Sequence, residues 1–134
     1  MKRIIAAKDL CKTYQMGEVL VTALQNANFE LYAEEFVVVL GPSGSGKSTM
    51  LNIIGGMDTA SSGELYYKDE ALHKADKKRL TYYRRNEVGF VFQFYNLMPN
   101  LTAYENINLS AQIAKNPLSV DELLAQVGLS DRAD

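Results

Sequence analysis

Apolar and β-branched residues in this chain gather in short runs separated by polar and glycine-rich punctuation. Ile4–Leu10 reads as a first strand, and Lys12–Glu18 follows as a polar loop. Val19–Leu24 and Ala27–Tyr32 then alternate as a strand pair, with Gln25-Asn26 as the turn. Phe36–Leu40 and Val88–Phe92 are continuous apolar stretches, the pattern of strands buried on both faces of a parallel sheet. Thr49–Ile54 predicts a mostly apolar helix, Glu64–Tyr67 a short strand, and Asp76–Arg85 a helix with a solvated basic face. Toward the C-terminus, Thr102-Ala103-Tyr104-Glu105 and Ser119-Val120-Asp121-Glu122 have the spacing of capping boxes. The first should open a helix running to about Lys115, and the second a helix stopping at Gly128. Strands alternating with helices, preceded by extra strands, predict an α/β chain with an antiparallel layer attached to a parallel core.

Composition narrows the classes. The 134 residues suit a single domain, with 47% hydrophobic and 22% charged residues. Fourteen basic against sixteen acidic side chains leave a net charge of −2, which argues against nucleic acid as the main partner. The lone Cys11 has no internal disulfide partner and reads as a small buried side chain, consistent with a reducing compartment. No apolar run approaches the ~18 residues of a membrane span. Direct membrane insertion is therefore not expected.

The chemistry concentrates in Gly41-Pro42-Ser43-Gly44-Ser45-Gly46-Lys47-Ser48-Thr49. Glycine, four residues, then glycine-lysine-serine is the phosphate-loop template, and it lies where it must, between an apolar strand and a helix. Polyphosphate carries several negative charges and needs many donors at close range. Gly41, Gly44 and Gly46 let the backbone of Ser43 and Ser45 come up to the oxygens, and the following helix adds its free N–H groups. Lys47 brings a mobile charge to the β- and γ-phosphates, Ser48 a hydroxyl ligand for Mg²⁺, and Thr49 a hydroxyl within reach of the α-phosphate. A Gly/Ser-rich surface turn would require neither the lysine nor this spacing.

Three further features have two readings each. Tyr14, in the polar loop, either stacks on a flat purine ring or caps the edge of a sheet. On stacking alone, Tyr14→Phe should be neutral. Gln93 ends the Val88–Phe92 strand and so points to the ligand edge of the sheet, where its carbonyl ligates Mg²⁺, or it simply bonds to backbone. Phe94–Pro99 is an apolar loop that either docks a partner or folds inward. His73, the only histidine, has no assigned role.

The chain resembles the N-terminal part of the ATP-binding cassette subunit of ABC transporters, and most closely the branch with lipoprotein-releasing and macrolide-exporting ATPases. The resemblance runs through Tyr14, Gly17-Glu18-Val19 and Ala23-Leu24, then Phe36 to Thr49 and Leu51 to Gly56. It resumes at Ser62-Gly63, at Gly89-Phe90-Val91-Phe92-Gln93, at Asn96-Leu97, at Pro99 to Ala103 and at Glu105-Asn106. It implies ATP and Mg²⁺ as cofactors, Tyr14 as the adenine-stacking aromatic, and Lys47 and Gln93 as catalytic residues, Gln93 being the Q-loop glutamine. It also implies a transmembrane permease subunit as partner, a second nucleotide-binding subunit joined on ATP binding, and a cytoplasmic location, peripheral at the inner face of the membrane. Glu34 departs from the glycine usual in the turn before the core strand.

No apolar strand ends in the Walker B aspartate-glutamate pair, and there is no Leu-Ser-Gly-Gly-Gln signature and no histidine switch. The expected fold is therefore a P-loop NTPase core with an antiparallel β layer, truncated before the signature and the Walker B strand. Residues 1–134 then form one incomplete domain, the N-terminal part of a nucleotide-binding domain that is inactive by itself. The alternatives are a non-catalytic nucleotide-binding fragment, or another P-loop NTPase or kinase. A GTPase would need an Asn-Lys-x-Asp run, which is absent.

Overall fold

The computed structural model describes every residue from Met1 to Asp134. The chain divides into two compact units, Met1–Arg84 and Arg85–Asp134.

The first unit is built on a hairpin of two long strands, β1 (Arg3–Met16) and β2 (Val19–Tyr32). The turn lies at Gly17-Glu18, with Gly17 at φ 64°, and the pairing runs from Met16 opposite Val19 to Arg3 opposite Tyr32. This corrects the sequence reading in two places. Residues 12–16 extend β1 rather than forming a loop, and Gln25-Asn26 is a kink within β2 rather than a turn. The kink is a matched irregularity in both strands. Asn26 takes φ 46° and Asp9 φ 49°, and the register slips between Ala7 and Lys12. Side chains repair the broken ladder: Asn28 Oδ1 accepts the Asp9 N–H at 3.0 Å, and Cys11 Sγ accepts the Asn26 N–H at 3.3 Å. Cys11 is thus half-buried at the bulge, not a core residue.

On its other edge β1 pairs with β3 (Ser62–Tyr67), and the two-residue β4 (Glu70–Ala71) completes an antiparallel sheet in the order β2-β1-β3-β4. Gly63 faces the bulge at φ 91°, where a Cβ would lie 2.2 Å from the Asp9 carbonyl oxygen. Only glycine fits there. The bulge also resets which residues face inward: Ile5 and Ala7 alternate as a regular strand should, and the next buried residue is Leu10. Beneath them lie Leu65 and Tyr67 of β3, Ile53 of helix α1 (Lys47–Ile54), Leu72 in a 3-10 turn, and Tyr83 of helix α2 (Lys77–Asn86).

Tyr83, 1% exposed, crosses Tyr67 edge-on at 5.0 Å and donates its hydroxyl to the Ile54 carbonyl at 2.7 Å. Arg84 donates to the Gly56 carbonyl at 2.6 Å. Helix α2 therefore supplies both a hydrogen bond and a positive charge to the C-terminal end of α1, where carbonyls lack helical partners. His73 is structural: its Nδ1 lies 3.1 Å from both backbone polar atoms of Leu65, and its ring meets Tyr66 edge-on.

The two apolar runs expected as buried parallel strands are not strands. Phe36–Leu40 follows a turn in which Glu34 itself adopts φ 66°, a left-handed conformation that costs a non-glycine residue about 1–2 kcal/mol. The run then pairs with nothing, leaving Phe36 93% and Leu40 87% exposed. Val88–Phe92 in the second unit is likewise outside any ladder, with Val91 fully exposed. A strand is defined by hydrogen bonds to its neighbours. Apolar patterning records the requirement for burial, and neither run finds that neighbour here.

The second unit is held by local caps. Helix α3 (Ala103–Ile113) opens with a complete capping box: Thr102 Oγ1 accepts the Glu105 N–H at 3.1 Å and Glu105 accepts the Thr102 N–H at 2.9 Å. It ends short of Lys115, where Ala114 turns extended, and the Arg85 guanidinium donates to the Ile113 carbonyl. Helix α4 (Val120–Gln126) starts on Ser119, whose Oγ accepts the Glu122 N–H at 3.4 Å. It stops at Gly128, with φ 75°, as the sequence implies. Val120 and Leu124 are the buried residues of this unit.

Because Tyr83 joins a buried ring to the end of α1, two substitutions separate its roles. Tyr83→Phe keeps the ring and should lower unfolding free energy by about 1 kcal/mol, whereas Tyr83→Ala should cost about 3–5 kcal/mol. Chemical denaturation monitored by circular dichroism reads both. Equal losses would place the stabilisation in the hydroxyl rather than in the packed ring.

Candidate functional site

The loop that leads into α1 is shaped by glycines at 44 and 46, with φ 82° and 95°. Gly46 is the N-cap of α1, and no side chain caps the helix. The N–H groups of its first turn are therefore left without a side-chain acceptor, with the positive end of the helix dipole behind them. Gly46 has a second reason to be glycine: a Cβ would sit 2.4 Å from the Ala23 carbonyl oxygen of β2. At Gly41 the obstruction would be only the Ser45 hydroxyl, 2.6 Å away and free to rotate. Lys47 folds back over the loop, donating to the carbonyls of Gly41 and, at 2.7 Å, Pro42, with Ser45 Oγ at 3.4 Å. The loop is thus a ring of backbone closed by its own ammonium. Ser43 and Ser48 are exposed at its rim.

A second cluster lies beside the helix. Lys12 and Tyr14 are two residues apart on β1 and therefore project from the same face. The Tyr14 hydroxyl donates to Asp58 Oδ2 at 2.6 Å, and Lys12 Nζ donates to Asp58 Oδ1 at 3.0 Å and to the Thr59 carbonyl at 2.6 Å. Lys12 Nζ also stands over the Tyr14 ring, 5.0 Å from its centroid. Asp58 itself is fixed by the turn that ends α1, where its N–H donates to the Asn52 carbonyl at 3.2 Å and its Oδ1 accepts the Thr59 N–H at 2.8 Å.

These contacts set the ionisation. The hydrogen bond to the Asp58 carboxylate, with partial burial and its negative charge, raises the Tyr14 phenol above its usual value, and the nearby Thr49 side chain works weakly the other way. Burial alone would raise Asp58. The bonds from Tyr14, Lys12 and the Thr59 N–H outweigh it and hold the carboxyl below the ordinary aspartate range.

The structure therefore brings Tyr14 against Thr49 on the first turn of the loop helix, joining two stretches of sequence more than thirty residues apart. Tyr14 lies on a strand rather than in a loop, 37% exposed, with its hydroxyl held. Gln93 belongs to the second unit, at an exposed bend rather than a strand end. Phe94, Tyr95, Leu97 and Met98 are all exposed, which favours the outward reading of their loop. Asp58 and its partner Lys12 escaped the sequence reading. The available signal was the alternation that puts positions 12 and 14 on one face.

The donor set fits a polyphosphate: first-turn N–H groups, positive-φ glycines and an ammonium that is already turned inward. No cluster of three or more carboxylate, histidine or cysteine side chains is present.

The lowered Asp58 pKa has a testable consequence. A carboxyl whose folded-state value lies below its unfolded value contributes stability above about pH 4, and that contribution is lost as pH falls through the folded value. Asp58→Asn should therefore be less stable than the parent near neutrality and lose less stability between pH 4 and lower pH, as read by denaturant titrations at several pH values. Parallel pH profiles would show that the carboxylate is not engaged.

Comparison with known proteins is consistent with this geometry. The family model described as ABC transporter matches residues 24–134. An uncharacterized ABC transporter ATP-binding protein of Thermotoga maritima is 42% identical, covering 98% of this chain and 58% of the relative. The lipoprotein-releasing system ATP-binding protein LolD of Idiomarina loihiensis is 42% identical, covering 96% of this chain and 59% of the relative. The dimeric post-hydrolysis structure of the ATP-binding cassette MJ0796, bound to ADP and Pi, superposes with a TM-score of 0.84 at 41% identity, covering 97% of this chain and 60% of that one. The chain thus spans 58–60% of the length of these relatives. With the phosphate loop, the antiparallel layer and a match over most of its residues in agreement, the chain belongs to the ABC transporter family.

Proposed function

We propose that this chain is the ATP-binding portion of an ABC transporter ATPase subunit. The whole subunit would couple ATP hydrolysis to export or extraction of a substrate through a transmembrane partner. The observation that carries this reading is the convergence of two elements on α1: the Lys47-closed glycine loop at its start, and Tyr14 tied through Asp58 to the turn that ends it. The likeness to a cassette bound to ADP and Pi, and to a lipoprotein-releasing ATP-binding protein, supports the nucleotide and the direction of transport.

In this reading Lys47 exchanges its loop carbonyls for β- and γ-phosphate oxygens, and the N–H groups of Gly44 to Thr49 surround the same oxygens. Ser48 provides a hydroxyl to Mg²⁺, and Gln93 a carbonyl. Bound Mg²⁺ would neutralise charge on the β- and γ-phosphates. Tyr14 offers its ring to the adenine. A second nucleotide-binding subunit joins on ATP binding, and the subunit sits peripherally at the inner face of the membrane. No helix here is long and apolar enough to cross it. The exposed Phe94, Tyr95, Leu97 and Met98 are the proposed contact with the permease.

Two experiments test these roles. Lys47→Ala removes a charge-assisted contact worth roughly 1.5–3 kcal/mol, so MgATP affinity should fall tenfold or more by calorimetry. Unchanged affinity in a folded variant would refute the phosphate assignment. Leu97→Ser or Met98→Ser in the whole subunit should reduce co-purification with the permease while leaving MgATP affinity intact. Undiminished co-purification of both would remove this loop from the interface.

A further inference from the structure

Asp58 is the one carboxylate that reaches both the strand carrying Tyr14 and the helix carrying the phosphate loop. It accepts the phenol at 2.6 Å and the Lys12 ammonium at 3.0 Å, and its own backbone is fastened to Asn52 of α1. We propose that Asp58, held by Lys12, is a positioning residue that locks the Tyr14 ring beside the loop helix as a platform for the nucleotide base. This rests on the reading of Tyr14 as the base-stacking side chain.

A tyrosine at the solvent edge of a strand has free rotation about two side-chain bonds, and a base that stacks on it must first arrest that motion. Here the arrest is already made. The hydroxyl is fixed by the Asp58 carboxylate, whose own N–H is bonded to Asn52 of α1, so the ring plane is set relative to α1. Asp58 is immobilised in turn by three donors: the Tyr14 hydroxyl, the Lys12 ammonium and the Thr59 N–H. Lys12 does more than balance the charge. Its ammonium stands over the Tyr14 ring, so that face is taken and a base stacks on the opposite one. The geometry thus gives the aromatic a single orientation with one face covered by Lys12, which plain stacking would not require. Tyr14→Phe, neutral if only the π-face mattered, becomes a loss of orientation.

The groups that charge or titrate next to the phenol are Asp58 and Lys12, and both belong to the brace. This makes the arrangement visible in solution independently of nucleotide. Among the eight tyrosines of the chain, the phenol missing from Tyr14→Phe should ionise above the ordinary value in the parent. It should move down in Asp58→Ala.

The binding test compares MgATP with magnesium tripolyphosphate, which carries the phosphates without a base. It uses the whole subunit, with folding of each variant checked by circular dichroism. Tyr14→Ala comes first, because it tests the platform itself: it should weaken MgATP and leave tripolyphosphate within about twofold. If it changes neither ligand, the platform reading falls and the brace falls with it. Given that loss, Asp58→Ala and Tyr14→Phe should each weaken MgATP about fivefold to tenfold, within the range of one base–aromatic stack, and change tripolyphosphate by no more than about twofold. The double variant Asp58→Ala with Tyr14→Phe should be no weaker than either single one, since both remove the same bond. Asp58→Asn, which keeps a neutral acceptor, should recover part of the MgATP affinity. The proposal is overturned if Asp58→Ala leaves MgATP unaffected while Tyr14→Ala does not, if it weakens tripolyphosphate as much as MgATP, or if the two losses multiply. It is also overturned, whether or not any variant binds, if the Tyr14 phenol titrates identically with and without the Asp58 carboxylate.

Discussion

The first unit depends on β1 being hydrogen-bonded along both edges. It pairs with β2 along the hairpin and with β3 between Ile5 and Cys11, so both of its edges are occupied by neighbouring strands except at the bulge. A central strand is the most constrained position in such a layer, and its side chains are placed accordingly. Ile5, Ala7 and Leu10 form the core on one stretch, and Lys12 and Tyr14 extend past it toward α1. The bulge at Asp9 permits this change of use. It tightens and bends the strand, and Gly63 opposite it makes room for the displaced carbonyl. A regular β1 would carry its tyrosine on a different line.

Helix α1 is positioned from both ends. At its start the Gly46 cap lies against the Ala23 carbonyl of β2, and at its end Tyr83 and Arg84 occupy the terminal carbonyls. The eight-residue helix is too short to be stable by itself, so these tertiary contacts fix its axis and with it the direction of its N–H groups. Anion binding needs just this: donors whose orientation costs nothing further when the ligand arrives.

What was legible in the sequence was whatever is decided within a few residues. The glycine-lysine loop, the Thr102 and Ser119 caps and the Gly128 stop all follow from local backbone geometry, and all are found where the spacing placed them. Properties set by a distant partner were not legible. Val19–Leu24 and Ala27–Tyr32 read as two strands because Gln25-Asn26 has turn chemistry, yet the Asn26 side chain and backbone serve a bulge opposite Cys11. Phe36–Leu40 and Val88–Phe92 have strand composition without a ladder, since composition cannot supply a neighbour. Tyr14 was recognised, but its strand and its hydroxyl partner were not. Asp58 lies forty-four residues away, between the helix and the strand that the sequence predicts over Thr49–Ile54 and Glu64–Tyr67.

The central claim is that the glycine loop and Tyr14 form one nucleotide site on α1, and amide and aromatic NMR titration with MgATP addresses it directly. The account predicts that the backbone resonances of Gly44 to Thr49 and the ring protons of Tyr14 shift together, following a single dissociation constant, with the ring moving upfield as a base stacks on it. A loop that responds while Tyr14 stays fixed, or two sets of shifts with different constants, would contradict it.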